Sequence, residues 1–201
     1  MKQVFEEIHD QNLWGSPESV SGTGSTLEQT RVIRDRLPDL IERFRIESML
    51  DLPCGDFNWM HHVRLNLDYI GADIIEAIIS RNSAVYDHEF CVLDITSSSL
   101  RTVDLVFCRD CLVHLSDADV LKAIARIKAS GSKYLLTTTF PDRVNRDIQT
   151  GFWRPINLQA EPFCFPDSVE IINEGCTEFG GEFKDKSLAL FELTKVQSAD
   201  R

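Results

Sequence analysis

The sequence predicts an α/β domain built on a mostly parallel sheet, and three observations carry that prediction. From residue 47 onward, short apolar segments of strand length alternate with helix-like segments, the pattern of strands joined by crossover helices. The chain has 201 residues, 43% hydrophobic and 26% charged, the make-up of one soluble globular domain rather than of a disordered or fibrous chain. At this length a domain buries roughly 70% of its unfolded surface, so neither disulfides nor a structural metal is required.

Residues 1–24 lack sustained periodicity, and 15–26, rich in Ser, Gly and Thr, read as a loop or lid segment. Ser25 with Glu28 three residues later forms a capping-box pattern that predicts a helix start. Ile33, Leu37, Leu40, Ile41 and Phe44 follow at helical spacing, with Pro38 as a kink or break. Strand candidates then occupy 48–52, 69–74, 89–95, 103–108 and 134–140. Ile75, Ile78 and Ile79 share one helical face, and a further helix begins at Ser116, with Asp117 and Asp119 in its first turn, and stops at Ser130 and Gly131. A less regular stretch, 141–167, interleaves Pro, Arg and aromatic residues before two closing strand candidates, 169–173 and 186–193. The expected organisation is one domain, 1–201, with an N-terminal lid segment and helix over 1–46 and the sheet core over 47–201.

Lys plus Arg number 21 against 32 Asp plus Glu, a formal charge of -11 that repels a phosphate backbone and argues against nucleic acid as a partner. Apolar runs such as 105–107 are far short of the ~20 residues that span a bilayer, so no membrane partner is expected. Glu6, Glu7 and Asp10 stand where a secretory signal needs a basic start, so a cytoplasmic location is expected. The six cysteines, Cys54, Cys91, Cys108, Cys111, Cys164 and Cys176, suit a reducing compartment. Cys108 and Cys111 have C-x-x-C spacing, but no further ligands follow at matching spacing, so no metal is expected and two half-buried thiols are the better reading.

The run Asp51-Leu52-Pro53-Cys54-Gly55-Asp56-Phe57 lies where the first strand gives way to a helix, the place at which an open parallel sheet binds a nucleotide-like cofactor. A dinucleotide needs several glycines for its pyrophosphate and no nearby carboxylate, whereas this loop offers one glycine and two acids. S-adenosylmethionine (SAM) carries a sulfonium and an ammonium and no phosphate, so carboxylates help it. Asp73 follows Asp51 by 22 residues, near the interval at which an acid reaches ribose hydroxyls. Asp94, followed by Ile95, is placed to accept from an adenine amino group. Each acid alone reads as a solvated strand end or cap; three at successive strand ends favour the ligand.

The runs MLDLPCGDFNWM, YIGADI, VLDI and DLVFCRDCLVHL together resemble the class I, Rossmann-like SAM-dependent methyltransferases, particularly a bacterial subgroup with D-x-P-C-G-D-x-x-W-M at the first loop. The resemblance extends to WRPINL and DKSLALFEL. It implies a three-layer sandwich with a seven-stranded sheet in the order 3-2-1-4-5-7-6, the last strand antiparallel. It implies that Asp51 and Gly55 shape the methionine side of a SAM pocket, that Asp73 binds ribose and that Asp94 and Ile95 hold adenine. Pro53, Cys54, Asp56, Trp59, Ile74 and Arg109, in or beside these motifs, complete the expected cofactor set, with S-adenosylhomocysteine as product. Pro53 and Phe57 replace two glycines of the commoner D-x-G-x-G-x-G pattern, which leaves the loop's backbone path open.

Methyl transfer needs alignment, water exclusion and, for a hydroxyl acceptor, removal of a proton. Asp110 and His114 follow the fourth strand candidate, and either could be the general base with the other orienting it or the acceptor. The competing reading of His114 is a packing or capping residue. Arg143, Arg146, Trp153, Arg154 and Asn157 suggest recognition of an anionic small-molecule acceptor, such as an oxygen of a sugar or nucleotide-linked sugar. Each arginine could instead pair with Asp142, Asp147 or Glu161. Trp14, Ser21 and Thr23 are expected in a lid over the cofactor. The alternatives are an N-methyltransferase, a non-catalytic SAM-binding scaffold and an NAD-dependent oxidoreductase; a monomer or homodimer is expected.

Overall fold

Short runs of large apolar residues form a seven-stranded sheet within residues 1–197, the part of the chain described by the structure, a computed structural model. The strands are β1 (Ser48–Asp51), β2 (Asp68–Asp73), β3 (Glu89–Val92), β4 (Leu105–Cys108), β5 (Tyr134–Thr139), β6 (Glu170–Asn173) and β7 (Ser187–Glu192). Their order is β3-β2-β1-β4-β5-β7-β6, and β7 runs antiparallel to both neighbours while the pairs from β3 to β5 are parallel. This is the predicted order and polarity. The third strand stops at Val92 rather than at 95, because Asp94 turns the chain: its carbonyl accepts from Ser97 and Ser98 and its Oδ1 from the Thr96 amide.

Four α-helices, α1 (Lys2–Asp10), α2 (Arg31–Arg43), α3 (Glu76–Val85) and α4 (Asp117–Ala129), cover the sheet. Alternate strand residues face opposite sides. Leu50, Ala72, Val106, Leu135 and Ala189 pack with α1, α3 and α4, whereas Met49, Tyr69, Leu105, Leu136 and Leu188 pack with α2. The result is the predicted three-layer sandwich. The Ser116 hydroxyl caps α4 by accepting from the Asp119 amide at 3.3 Å, as its sequence implies.

Two N-terminal expectations need correction. Residues 2–10 are helical, and only Phe5 and Ile8 of α1 are buried, too few inward positions to register as a period. The capping-box pattern at Ser25 starts no α-helix: Ser25 closes a single 3₁₀ turn, and α2 begins at Arg31 after Thr30, whose hydroxyl donates to the Thr26 carbonyl at 2.7 Å. Pro38 lies inside α2 without breaking it, since Ile33, Leu37, Leu40 and Ile41 anchor both sides of it in the core. Among the described residues no helix is long and apolar enough to cross a membrane.

Candidate functional site

The carboxyl ends of β1, β2 and β4 open onto a cavity of about 560 Å³. The first loop forms its floor. Leu52 N–H donates to the Phe107 carbonyl (2.9 Å) and Cys54 N–H to the Ala72 carbonyl (2.8 Å), so the loop bridges the neighbouring strand ends. Asn82 of α3, fully buried, donates to the Gly55 carbonyl at 2.8 Å. Gly55 has φ +53, and a Cβ there would meet the Ser21 hydroxyl at 2.2 Å, so glycine is required by the lid rather than by a ligand. Phe57 takes the positive φ (60°) that the commoner motif gives to glycine, its ring braced edge-on by Tyr86 and Phe90.

Asp51 and Asp73 line the cavity, both nearly fully buried. Burial pushes the Asp51 carboxyl up to about 8, opposed by the Tyr69 hydroxyl that donates to it at 2.6 Å and aided by the charge of Asp73. Burial likewise pushes Asp73 up to about 6, restrained by the Ile75 and Gly55 amides at 2.9 and 3.2 Å. Ile74, Ile75, Ile78, Leu93 and Ile95 make the adjoining wall apolar. Cys54 also lines this floor, and its thiol is held protonated by burial. Asp56 reaches the cavity edge but binds the lid: it accepts from the Ser19 hydroxyl (2.9 Å) and the Val20 amide (3.0 Å). Trp14, Ser21 and Thr23 line the cavity, and α1 adds Phe5 and Ile8 to its wall.

Beyond the first loop lies a buried ionic cluster. Asp110 sits at φ +52, a costly conformation for a residue with a Cβ. Its Oδ2 accepts from Lys186 Nζ at 2.7 Å and lies 3.2 Å from Arg109 Nη1. Burial alone would raise this carboxyl, but Arg109 and Lys186 hold it well below the usual carboxylate range. Arg109 also donates to Glu174 at 2.8 Å and to the Gly24 carbonyl at 2.9 Å, and lies over the Trp59 ring. His114 is half-buried, and its Nδ1 lies 3.0 Å from the Phe152 carbonyl, which fixes Nδ1–H as donor and leaves Nε2 as acceptor. Burial moves its pKa below 6.5, so the imidazole is neutral at pH 7.

The expected cofactor set thus converges, with one exception: Pro53, Trp59, Ile74, Ile95 and Arg109 line the cavity with the acids of the first loop, but Asp94 does not. The Asp94 Oδ1 accepts from the Thr96 amide and hydroxyl at 2.8 and 2.6 Å. The expected acceptor set is corrected more heavily, since of its five residues only Trp153 lines the cavity. Arg143 is held by both oxygens of Asp185 at 2.8 Å, and Arg154 by Asp117 at 2.7 Å and the Leu112 carbonyl. Asn157 ties the carbonyls of Pro141 and Arg143, and Arg146 is exposed on the outer surface. Guanidinium groups on this acidic chain meet its own carboxylates first. Lys186, Glu174 and Glu178 were missed, because they lie beside the last two strands, far in sequence from Asp110. Among the described residues no group of three or more His, Cys, Asp or Glu side chains is placed to hold a metal ion, and Cys108 and Cys111 are free thiols.

A sheet of this order, with an acidic first loop and a cavity at its carboxyl edge, is the fold of the class I SAM-dependent methyltransferases. Solved structures agree. The chain is similar to the N-methyltransferase NodS from Bradyrhizobium japonicum in complex with S-adenosyl-L-homocysteine (14% identity, TM-score 0.61, 94% of this chain and 97% of that one). It is also similar to a SAM-dependent methyltransferase from Clostridium acetobutylicum (12% identity, TM-score 0.58, 94% and 97% coverage). Among curated proteins it is 26% identical over 135 residues to a wheat (Triticum aestivum) phosphoethanolamine N-methyltransferase, spanning 63% of this chain and 26% of that protein. The match thus covers about a quarter of the relative's length. No family model matches the chain.

Proposed function

We propose that this chain is a SAM-dependent methyltransferase with His114 as general base. The observation that carries the reading is the pair Asp51 and Asp73, carboxylates whose protonation is favoured by burial in a cavity otherwise walled by Ile74, Ile78, Leu93 and Ile95. A cationic ligand supplies the countercharge that they lack; a pyrophosphate would meet two acids and a Gly55 position already filled by Ser21. Asp51 and Gly55 would face the methionine part of SAM, Asp73 the ribose, and Ile74, Leu93 and Ile95 the adenine. When bound, SAM supplies an electrophilic methyl group that passes to the acceptor as the carbon–sulfur bond breaks and its electron pair stays on sulfur.

The protein's own part is to exclude water and take a proton. Asp110 is a poor base because Arg109 and Lys186 stabilise its charge; it orients Lys186 and holds the cluster beneath the lid. His114 Nε2, with Nδ1–H committed to Phe152, is a neutral acceptor at the same cavity. A nitrogen acceptor is the second reading, favoured by the N-methyltransferase activity of the wheat relative; isolating the methylated product separates the two. Calorimetric titration with SAM and with NAD tests the assignment. SAM is expected to bind with NAD inert, and binding of NAD in preference, or no heat with SAM, overturns it.

A further inference from the structure

Among the described residues the exposed phenylalanine and tryptophan side chains are Phe152, Trp153 and Phe179, at 64%, 41% and 77% exposure, and all three line this one cavity. Trp153 and Phe179 form one surface with Phe140 and Phe183. Trp153 stacks edge-on against Phe183 at 4.7 Å between centroids, and Phe179 meets the same ring at 5.6 Å. Phe179 is held at φ 51 and ψ 39, a left-handed conformation rarely taken by a bulky residue, in a turn where Gly180 and Gly181 follow. Backbone strain here puts an apolar ring into water at the rim of the cavity, where burial would otherwise be preferred.

Resting on the methyltransferase reading above, we propose that the acceptor is an uncharged phenol whose ring packs on Trp153, Phe179 and Phe183. Charge supports the choice. Asp110 and Glu178 stand on the acceptor side of the cavity, and its cations, Arg109 and Lys186, are already ion-paired with Asp110 and Glu174, so an anionic acceptor finds no unpaired cation there. Base strength supports it too. A phenol ionises near pH 10, far closer to the range of an imidazole than an alkyl hydroxyl comparable to water (15.7). His114 Nε2 therefore takes a phenolic proton far more readily than a sugar hydroxyl proton, and the aromatic faces supply edge-on and stacked contacts for the ring.

The probe is 4-methylphenol, an uncharged phenol, titrated calorimetrically into protein loaded with S-adenosylhomocysteine, with glucose 6-phosphate as competitor. Saturable binding that glucose 6-phosphate does not displace is expected, weakened about tenfold by Trp153→Ala and by Phe179→Ala, while calorimetric affinity for S-adenosylhomocysteine stays unchanged. With SAM, formation of 4-methylanisole should accompany formation of S-adenosylhomocysteine. Binding unaffected by both substitutions, displacement by glucose 6-phosphate, or no binding to the loaded protein overturns this inference alone. Failure of S-adenosylhomocysteine to bind at all overturns it together with the methyltransferase reading.

Discussion

Asp51 makes a quantitative test of the cofactor site. With its carboxyl pushed up to about 8 by burial, about nine molecules in ten carry it protonated at pH 7. A cationic ligand bound against it requires the ionised form, so about 1.4 kcal/mol of binding free energy goes into deprotonation at pH 7, and affinity is about tenfold below its value at pH 9. The sign follows from proton counting: the complex holds fewer protons than free protein plus ligand, so binding releases protons and strengthens as pH rises. The amino group of SAM titrates near 7.7–8.0 and opposes this trend, but it does so alike in every variant. The readout is therefore the ratio of affinities of wild type and Asp51→Asn, measured by calorimetry from pH 6 to 9. That ratio should rise about tenfold between pH 7 and 9 and fall further toward pH 6. The Asp73 carboxyl, pushed up to about 6, contributes equally to both proteins near the lower limit and cancels. A ratio independent of pH would refute the claim that Asp51 is the counter-ion of a cationic ligand.

Three further substitutions probe the other parts of the site. His114→Asn should lower turnover by roughly 10²–10³ with SAM affinity unchanged, as removal of a general base does, and the wild-type rate should fall as pH drops below the lowered imidazole pKa. Lys186→Met leaves Asp110 and Glu174 short of a cation in a buried cluster and should cost about 3–5 kcal/mol in urea unfolding. Gly55→Ala puts a Cβ against the Ser21 hydroxyl at a positive φ, so it should weaken SAM binding and raise the rate of proteolytic cleavage within residues 14–26 while the rest of the chain stays protected.

The sheet was legible because its signals are local. β4 is a continuous apolar run and β5 a run of Tyr, Leu and β-branched Thr, both buried on both faces, and α4 carries its own cap and acidic first turn. Asp51 and Asp73 were legible for a related reason: each ends a strand, and strand ends in a parallel sheet converge. Asp94 follows the same rule one strand further out, yet its carboxylate turns back to Thr96, a local hydrogen bond that competes with any ligand. What stayed hidden was long-range pairing. Nothing near Arg143 in the sequence announces Asp185, 42 residues on, and nothing near Asp110 announces Lys186, 76 residues on.

The same asymmetry divides the cavity into two sides. The side read from sequence, from Asp51 to Ile95, comes from strands and short turns with fixed geometry. The opposite side comes from α1, the lid, the 141–167 segment and the turn before β7, which are joined only in three dimensions. Thr23 donates to Glu178 at 2.5 Å, Gln29 to Thr177 at 2.7 Å, and Arg109 joins Gly24 to Glu174. The lid is thus fastened to the turn that carries Phe179. The lid is tied on its other side to the first loop, where Asp56 accepts from the Ser19 hydroxyl and the Val20 amide, so a change in it reaches both sides of the cavity.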